Sequence, residues 1–321
     1  MVKYIFKRLL LMLIALACIT TICFMLIRAL PMTPPEGANK AQKEQIAIIW
    51  ESRGYDEPLL VQYGIYLRDI FTEFDFGTSW VIKKTEPAWN LLTGRLLPTI
   101  LVNLYSLLFS IPLGIAFGIF AAIKKNKWQD HLISTMVILF VSVPSYVYAF
   151  LVQYFLYFKL DLFPPTISSV ADAGGTYFSW IMFHSMVPAI LALSFGQIAG
   201  LCRFTRAELT ETLTQDYMLL ARTKGLTRSQ ATTRHALKNA MVPILPSIIS
   251  SFIGILGGSM IIEQIFSIPG VGQLYVQSVV GRDYDVFMMD SIFYTFISLL
   301  AGIVVDISYG FIDPRIRMGE R

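Results

Sequence analysis

The side chains able to do covalent chemistry are scattered along this chain. His131, His184 and His235 stand far apart, and none has a cysteine or a carboxylate cluster beside it. Cys18, Cys23 and Cys202 all fall in apolar runs and make neither a disulfide framework nor a metal-ligand spacing. No Gly-x4-Gly-Lys-Ser/Thr phosphate loop occurs, and no nucleophile–base constellation is legible. No catalytic residue and no metal ligand is therefore assigned. What remains is of another kind: a polar, basic stretch at 216–246, a run of small residues around 247–259, and the acids Glu263 and Asp306 in apolar surroundings.

The stretch 216–246, DYMLLARTKGLTRSQATTRHALKNAMVPILP, separates two strongly apolar runs. Asp216 suits the cap of a short helix, on which Tyr217, Leu220, Ala221 and Lys224 recur at i, i+3, i+4 and i+7. Gly225 suits a left-handed stop. Thr227 followed by Gln230 has the capping-box spacing of a second helix, predicted to end or kink near Pro243. Helix–turn–helix is also the outline of a DNA-binding element. The modest positive charge equally fits a cytoplasmic loop, since basic residues gather on that side of a membrane. A solvated helical connector is the third reading.

The elements around it decide between these. Of 321 residues, 55% are hydrophobic and 15% charged, against about 25% charged in soluble domains. The mean hydropathy is +0.59. The apolar runs are too long for core helices, which makes this a polytopic membrane protein. After Lys3, Lys7 and Arg8, residues 9–30 are almost wholly apolar. A signal peptide starts the same way, but its apolar region is only about 7–15 residues long. This run is read as span 1, with Arg28 snorkelling to the far interface. Residues 31–98 form an outer loop or small cap, with an amphipathic stretch at 40–50 and a turn at Arg53-Gly54. The remaining core, 99–321, places spans at 100–123, 132–158, 183–202, 243–266 and 287–312, with an inner loop at 203–242. Sixteen lysines and arginines fall on the side of the termini and nine on the other, seven of those in the long first loop where the rule is weakest. Both termini and the 216–246 stretch are thus expected in the cytoplasm.

Span 5 carries Ser247, Ser250, Ser251, Gly254, Gly257, Gly258 and Ser259, which allow close helix packing or a passage lined by small side chains. Beyond it, Pro269-Gly270 and Gly272 interrupt residues 261–285. That segment is too short to cross a bilayer and too apolar for a free loop, so it is read as re-entrant or interfacial. Glu263 is a candidate contact for substrate or partner, or an interface charge reaching water. Asp306, a turn or two from the inner boundary, is open to a transport role or to an ion pair with Arg315, Arg317 or the basic stretch.

Three segments, 216–243, 263–284 (EQIFSIPGVGQLYVQSVVGRDY) and 305–317 (VDISYGFIDPRIR), resemble the membrane-spanning permease subunits of bacterial ABC importers, in the oligopeptide/dipeptide branch. Residues 56–63 (DEPLLVQY) and 95–103 (RLLPTILVN) resemble the first of that branch's two paired permeases. The similarity runs in order along nearly the whole chain. It implies an all-α membrane protein with six transmembrane helices of the type I importer kind. It also implies that 216–246 is the coupling loop, with Asp216, Tyr217, Leu220, Ala221, Lys224 and Gly225 docking on a separate ATPase. Ser250, Gly254, Gly257, Gly258, Glu263, Pro269, Gly270 and Gly272 are assigned to the translocation pathway or its gate. The loop departs from the general Glu-Ala-Ala-x3-Gly pattern: aligned on Gly225, those positions hold Leu219, Leu220 and Ala221, so no glutamate role passes to Leu219. His235 and Leu237-Lys238 replace the later Ile and Leu-Pro, and the proline is delayed to Pro243.

The implied partners are a second homologous permease, one or two ABC ATPase subunits, an extracytoplasmic peptide-binding protein and membrane lipid, with no nucleic acid. No cofactor is expected on this chain, because ATP and magnesium belong to the ATPases. Within the same class, nickel, glutathione or another small solute is an alternative cargo. An ion-coupled secondary transporter would call for inverted repeats and paired midplane charges. A membrane-embedded enzyme would need reactive residues clustered at one depth.

Overall fold

The computed structural model describes residues 2–30, 40, 44, 47, 48, 50, 51 and 54–312. The expected amphipathic stretch at 40–50 and the Arg53-Gly54 turn fall partly outside the described residues, and the tail with Arg315 and Arg317 falls wholly outside them. Among the described residues the chain is helical, with one isolated β-bridge between Thr78 and Pro87 and no named strand. It divides into two compact units, Met1–Leu97 with Pro269–Leu300, and Pro98–Ile268 with Ala301–Arg321.

The first unit contains α1 (Val2–Arg28), α2 (Leu59–Glu73), the start of α3 (Ala88–Ile123), α11 (Val271–Gly281) and most of α12 (Tyr284–Ile312). The helices numbered between these, α4–α10, belong to the second unit. Among the described residues the buried side chains of the first unit form two clusters, one of Phe76, Leu92, Leu274, Val286 and Met289, the other of Phe24, Tyr66 and Met288. Helix α2 ends at Phe74 in the left-handed conformation, φ 56°, and the Phe74 ring meets Phe76 and Trp89 at centroid distances of 5.0 and 4.9 Å. Arg28 does not snorkel: its side chain is 6% exposed and pairs with Asp285 at 3.6 Å. The guanidinium also covers the Tyr55 ring at 3.8 Å.

The second unit contains the rest of α3, then α4 (Trp128–Ser142), α5 (Ser145–Gln153, continued as a π-helix over Tyr154–Lys159) and α6 (Trp180–Thr212). Next come α7 (Asp216–Thr223), α8 (Arg228–Ala231), a π-helical turn Thr232–Ala236, α9 (Leu237–Gly254) and α10 (Met260–Ile265). Helices α3 and α6 approach closely at Gly114 and Gly118. A β-carbon on Gly114 would lie 2.7 Å from Leu201 Cβ, and one on Gly118 would lie 2.8 Å from the Cys202 carbonyl oxygen. This is the small-xxx-small spacing that lets membrane helices pack backbone to backbone.

Several span boundaries differ from expectation. Span 3 is not one helix: α4 and the α5 segment are bent by 101°. Pro144 removes a backbone donor and pushes Val143 to an extended conformation, φ −90° and ψ 129°, which stops α4. In contrast, Pro243 neither ends nor separates its helix, because α8, the π-turn and α9 form one 30-residue apolar run, Arg228–Gly257. Prolines inside membrane helices are tolerated where neighbouring groups satisfy the freed carbonyls. Span 5 stops at Gly257 rather than 266, and α10 is a separate short helix. Among the described residues, five helices are long and apolar enough to span a bilayer, or six if the bent pair counts as one.

Candidate functional site

Helix α7 begins one residue earlier in its cap than expected. Gln215 is the N-cap, and Asp216 occupies the first turn, where a carboxylate favours the positive end of the helix dipole. Gly225 takes φ +90° and stops the helix, in the region open to glycine. The Thr227 hydroxyl accepts from Gln230 N at 3.3 Å, while the Gln230 side chain accepts from Thr227 N at 3.0 Å, completing the capping box.

The surfaces of α7 divide differently from the i, i+3, i+4, i+7 reading. Ala221 and Met218 are buried, with Leu209 of α6, Ala122 of α3 and Ala231, Ala236 and Ala240 of the α8–α9 run. Tyr217 packs against the same cluster. Leu219 and Leu220 point outward, 66% and 55% exposed, and Asp216, Lys224 and Gly225 are exposed. Ala221 therefore belongs to the joint that seats α7, not to its free face. The five alanines of that joint keep its side chains small, which favours close seating of α7. Beside it, Arg206 of α6 grips the buried Asp130 of α4 through two hydrogen bonds, Nε–Oδ1 at 2.5 Å and Nη2–Oδ2 at 2.8 Å. Asn126 N and Ser134 Oγ also donate to Asp130, at 2.9 and 3.4 Å.

The small residues of span 5 occupy two settings. Ser250 is partly buried on α9, and Gly254 is exposed with no atom near its would-be β-carbon. Gly257 ends a 3-10 turn, and Gly258 takes φ 61° and ψ −168°. Glu263 is not a charge reaching water. It is 2% exposed, accepts a hydrogen bond from Thr99 Oγ1 at 3.0 Å, and lies over Gly258 so closely that a β-carbon there would collide with its Oε1. The break between α9 and α10 is thus held by a buried carboxylate that only a glycine can admit. Pro269, Gly270 and Gly272 belong to the other unit. Gly270 is the N-cap of α11 with φ −105° and ψ −178°, an extended conformation open to any residue, so the turn makes no demand for a left-handed glycine there. Gly272 is buried within α11.

Two acids at 283 and 285 organise the first unit, and neither was among the expected site residues. Asp283 accepts from Ser79 Oγ at 2.6 Å and from the backbone N–H groups of Trp80, Val81 and Ile82 at 3.1–3.2 Å. Asp285 accepts from Tyr55 Oη and Thr78 N, both at 3.2 Å, besides its pair with Arg28. A β-carbon on Gly77 would lie 2.5 Å from Asp285 Cγ, so glycine is required at that contact. Burial pushes the Tyr66 hydroxyl far above its ordinary pKa, with the Asp285 charge adding to the effect. A signal for this anchor was present: two aspartates flanking Tyr284 beside a helix break, opposite a Gly77-Thr78-Ser79 turn with free donors.

A groove of about 360 Å³ opens between α3, α6 and α9, lined by Leu107, Gln197, Arg203, Phe204, Ser247 and Ser251 among others. Gln197 is fixed from behind: its Oε1 accepts from Ser110 Oγ at 2.7 Å and Ser106 Oγ at 3.4 Å. Asp306 lies partly buried on α12, and the arginines weighed as its partners are outside the described residues. Among the described residues no group of three or more His, Cys, Asp or Glu side chains is placed to hold a metal.

Comparison with known proteins matches this arrangement to one family. Residues 114–318 match the binding-protein-dependent transport system inner membrane component, and residues 1–100 match the N-terminal membrane component of the same systems. A dipeptide transport system permease protein, DppB, of Lactococcus lactis subsp. cremoris is 36% identical over 318 residues, 99% of this chain and 100% of that one. DppB of Bacillus subtilis is 33% identical over 325 residues, all of both chains. A glutathione transport system permease protein, GsiC, of Salmonella paratyphi A is 33% identical over 99% of each chain. The crystal structure of an amino acid ABC transporter with histidines superposes on 70% of this chain and 94% of its own with a TM-score of 0.52 at 17% identity, which bears on the fold alone. The chain belongs to the binding-protein-dependent transport system inner membrane component family: it is a multi-pass, non-catalytic permease subunit of an ABC importer of the bacterial inner membrane.

Proposed function

We propose that the cargo is a short peptide, and that this chain supplies one half of the pathway beside a second, homologous permease. The observation that carries the cargo is the 36% identity to a dipeptide permease over 99% of this chain. Counting α4–α5 as one span gives six, which keeps both termini on one side, and the excess of basic residues supports the cytoplasm as that side and as the side of α7. One or two separate ATPases hydrolyse ATP with magnesium, and an extracytoplasmic binding protein delivers the peptide.

In this reading Leu219, Leu220 and Lys224 form the docking face of α7, Asp216 and Gly225 set its two ends, and Tyr217 and Ala221 transmit its movement. Support comes from the alanine joint, which ties α7 to α3, α6 and the unbroken Arg228–Gly257 run. A shift of α7 driven by ATPase closure would then rock the helices it is seated on. Around Gly258, Glu263 would hold the break between α9 and α10 as part of a gate, with Ser250, Gly254 and Gly257 facing the pathway, Pro269 and Gly270 forming the turn before α11, and Gly272 seated in its first turn.

The test is uptake of a radiolabelled dipeptide by a peptide-import-deficient bacterium carrying this permease with its companion subunits. Energised uptake supports the cargo, whereas an assembled complex that carries glutathione and no dipeptide would replace it, as the 33% identity to a glutathione permease allows. For the topology, a cysteine at Glu73 should react with an impermeant thiol reagent in intact cells with the outer barrier opened, and one at Ser229 should not. The reverse pattern would invert the membrane orientation.

A further inference from the structure

The groove between α3, α6 and α9 carries a polar set whose chemistry is more specific than a passage needs. Among the described residues its one charged lining side chain is Arg203, and no carboxylate lines it. Arg203 makes no ion pair with any described residue, in contrast to Arg206 one turn further along α6, which is committed to Asp130. An arginine at the edge of an apolar span is costly unless it faces water or an anion, so this guanidinium has room for a negatively charged guest.

The neighbouring groups complement the rest of a peptide. Gln197 turns its Oε1 to Ser110 and Ser106, leaving its amide NH2 as the end available to the groove. Both of those serines are fully buried, so the orientation is set by groups that have no competing water. On the opposite wall, Ser247 Oγ donates to Ile244 O at 2.7 Å and Ser251 Oγ donates to Ser247 O at 3.0 Å. With those hydrogens spent on the helix, the serine oxygens offer lone pairs. The groove therefore holds a cation, an amide donor and two hydroxyl acceptors, between the apolar side chains of Leu107 and Phe204. The groove is open at Gly200, where nothing lies within 4 Å of a built β-carbon. At about 360 Å³ it is at the small end of ligand sites, about 300–1,000 Å³.

We propose that this groove is a transient substrate site in the transport path, in which Arg203 holds the C-terminal carboxylate of a short peptide. Gln197 donates to a peptide carbonyl, and the Ser247 and Ser251 oxygens accept from peptide N–H groups. The inference rests on the peptide-import reading and adds a selectivity inside the membrane subunit, separate from whatever the binding protein selects.

The experiment is a two-by-two comparison. One dipeptide, as free acid and as C-terminal amide, is taken up by complexes with the native chain and with Arg203→Gln, at matched membrane levels and with the ATPase-inactive background subtracted. The binding protein is the same throughout, so its own preference cancels in the ratio of ratios. Losing a charge-assisted hydrogen bond should cost free-acid uptake about tenfold or more beyond any loss with the amide. Arg203→Lys, which keeps the charge, should restore most of that difference. Equal loss for both peptides would mean that Arg203 serves anchoring or assembly, and no loss for either would empty the groove of this role; each overturns the proposal. If the native complex carries neither peptide, the peptide reading fails by itself. The same comparison between glutathione and its diethyl ester then judges the carboxylate site, with selective loss of glutathione uptake expected and equal loss overturning it.

Discussion

Replacing Leu219 and Leu220 by alanine separates docking from folding. The two side chains are 66% and 55% exposed on α7, so more than half of each surface is still available to be covered by a partner. Fully burying a leucine contributes about 1.5–3 kcal/mol, so covering the exposed part of each is worth about 1–2 kcal/mol. The double variant should lose about 2–4 kcal/mol of association, roughly 30-fold to 1,000-fold in affinity at about 1.4 kcal/mol per tenfold. Its thermal unfolding should stay near that of the native chain, because neither side chain belongs to the buried cluster. Ala221→Asp should do the opposite in kind. Ala221 is 6% exposed against Leu209 and the α8–α9 alanines, and an unpaired carboxylate there costs several kcal/mol of stability before any partner arrives. The assay is binding of purified ATPase to the detergent-solubilised permease pair, with a thermal melt and peptide uptake on the same samples. Full ATPase binding and full uptake in the Leu219/Leu220 double variant would show that α7 is not the docking helix. An Ala221→Asp variant as stable as the native chain would refute the buried joint.

Three further outcomes follow from buried contacts elsewhere. Arg206→Ala strips Asp130 of its bidentate partner, and because the arginine is about a third exposed the expected loss is nearer 2 kcal/mol than the 3–5 of a fully buried pair; Asp130→Asn in the same chain should recover much of it, and additive losses in the thermal melts would deny the coupling. Gly258→Ala forces a β-carbon onto Glu263 and Thr99 at φ 61°, so uptake should fall severely with ATPase binding kept; normal uptake would mean that the α9–α10 break does not govern transport. Asp283→Ala removes the acceptor of four donors around Ser79–Ile82, which should expose that turn to limited proteolysis in intact cells while α12 still inserts, and an unchanged cleavage pattern would count against the anchor.

The sequence by itself determined the class of this protein, because long apolar runs are properties of the chain that the bilayer reads directly. It also determined where α7 stops and where α8 starts: a glycine stop and a Thr-x-x-Gln box are local devices, complete within three or four residues. The small-residue spacing Gly114-x3-Gly118 was present as well and became meaningful only once α6 lay against it. Tertiary structure alone decided which face of α7 is free, since Leu220 and Ala221 are neighbours in sequence and share an apolar character, and only the alanine joint beneath them says which one is covered. The same holds for prolines: Pro144 bends its helix pair by 101°, while Pro243 and Pro246 leave α9 unbroken. The sequence shows the missing N–H in each case, but whether the freed carbonyl finds another partner depends on what packs beside it. Glu263 and Asp283 make the point most directly. An acid in an apolar run is a cost of unknown size until its donors are seen, and those donors come from positions 164 and 204 residues away.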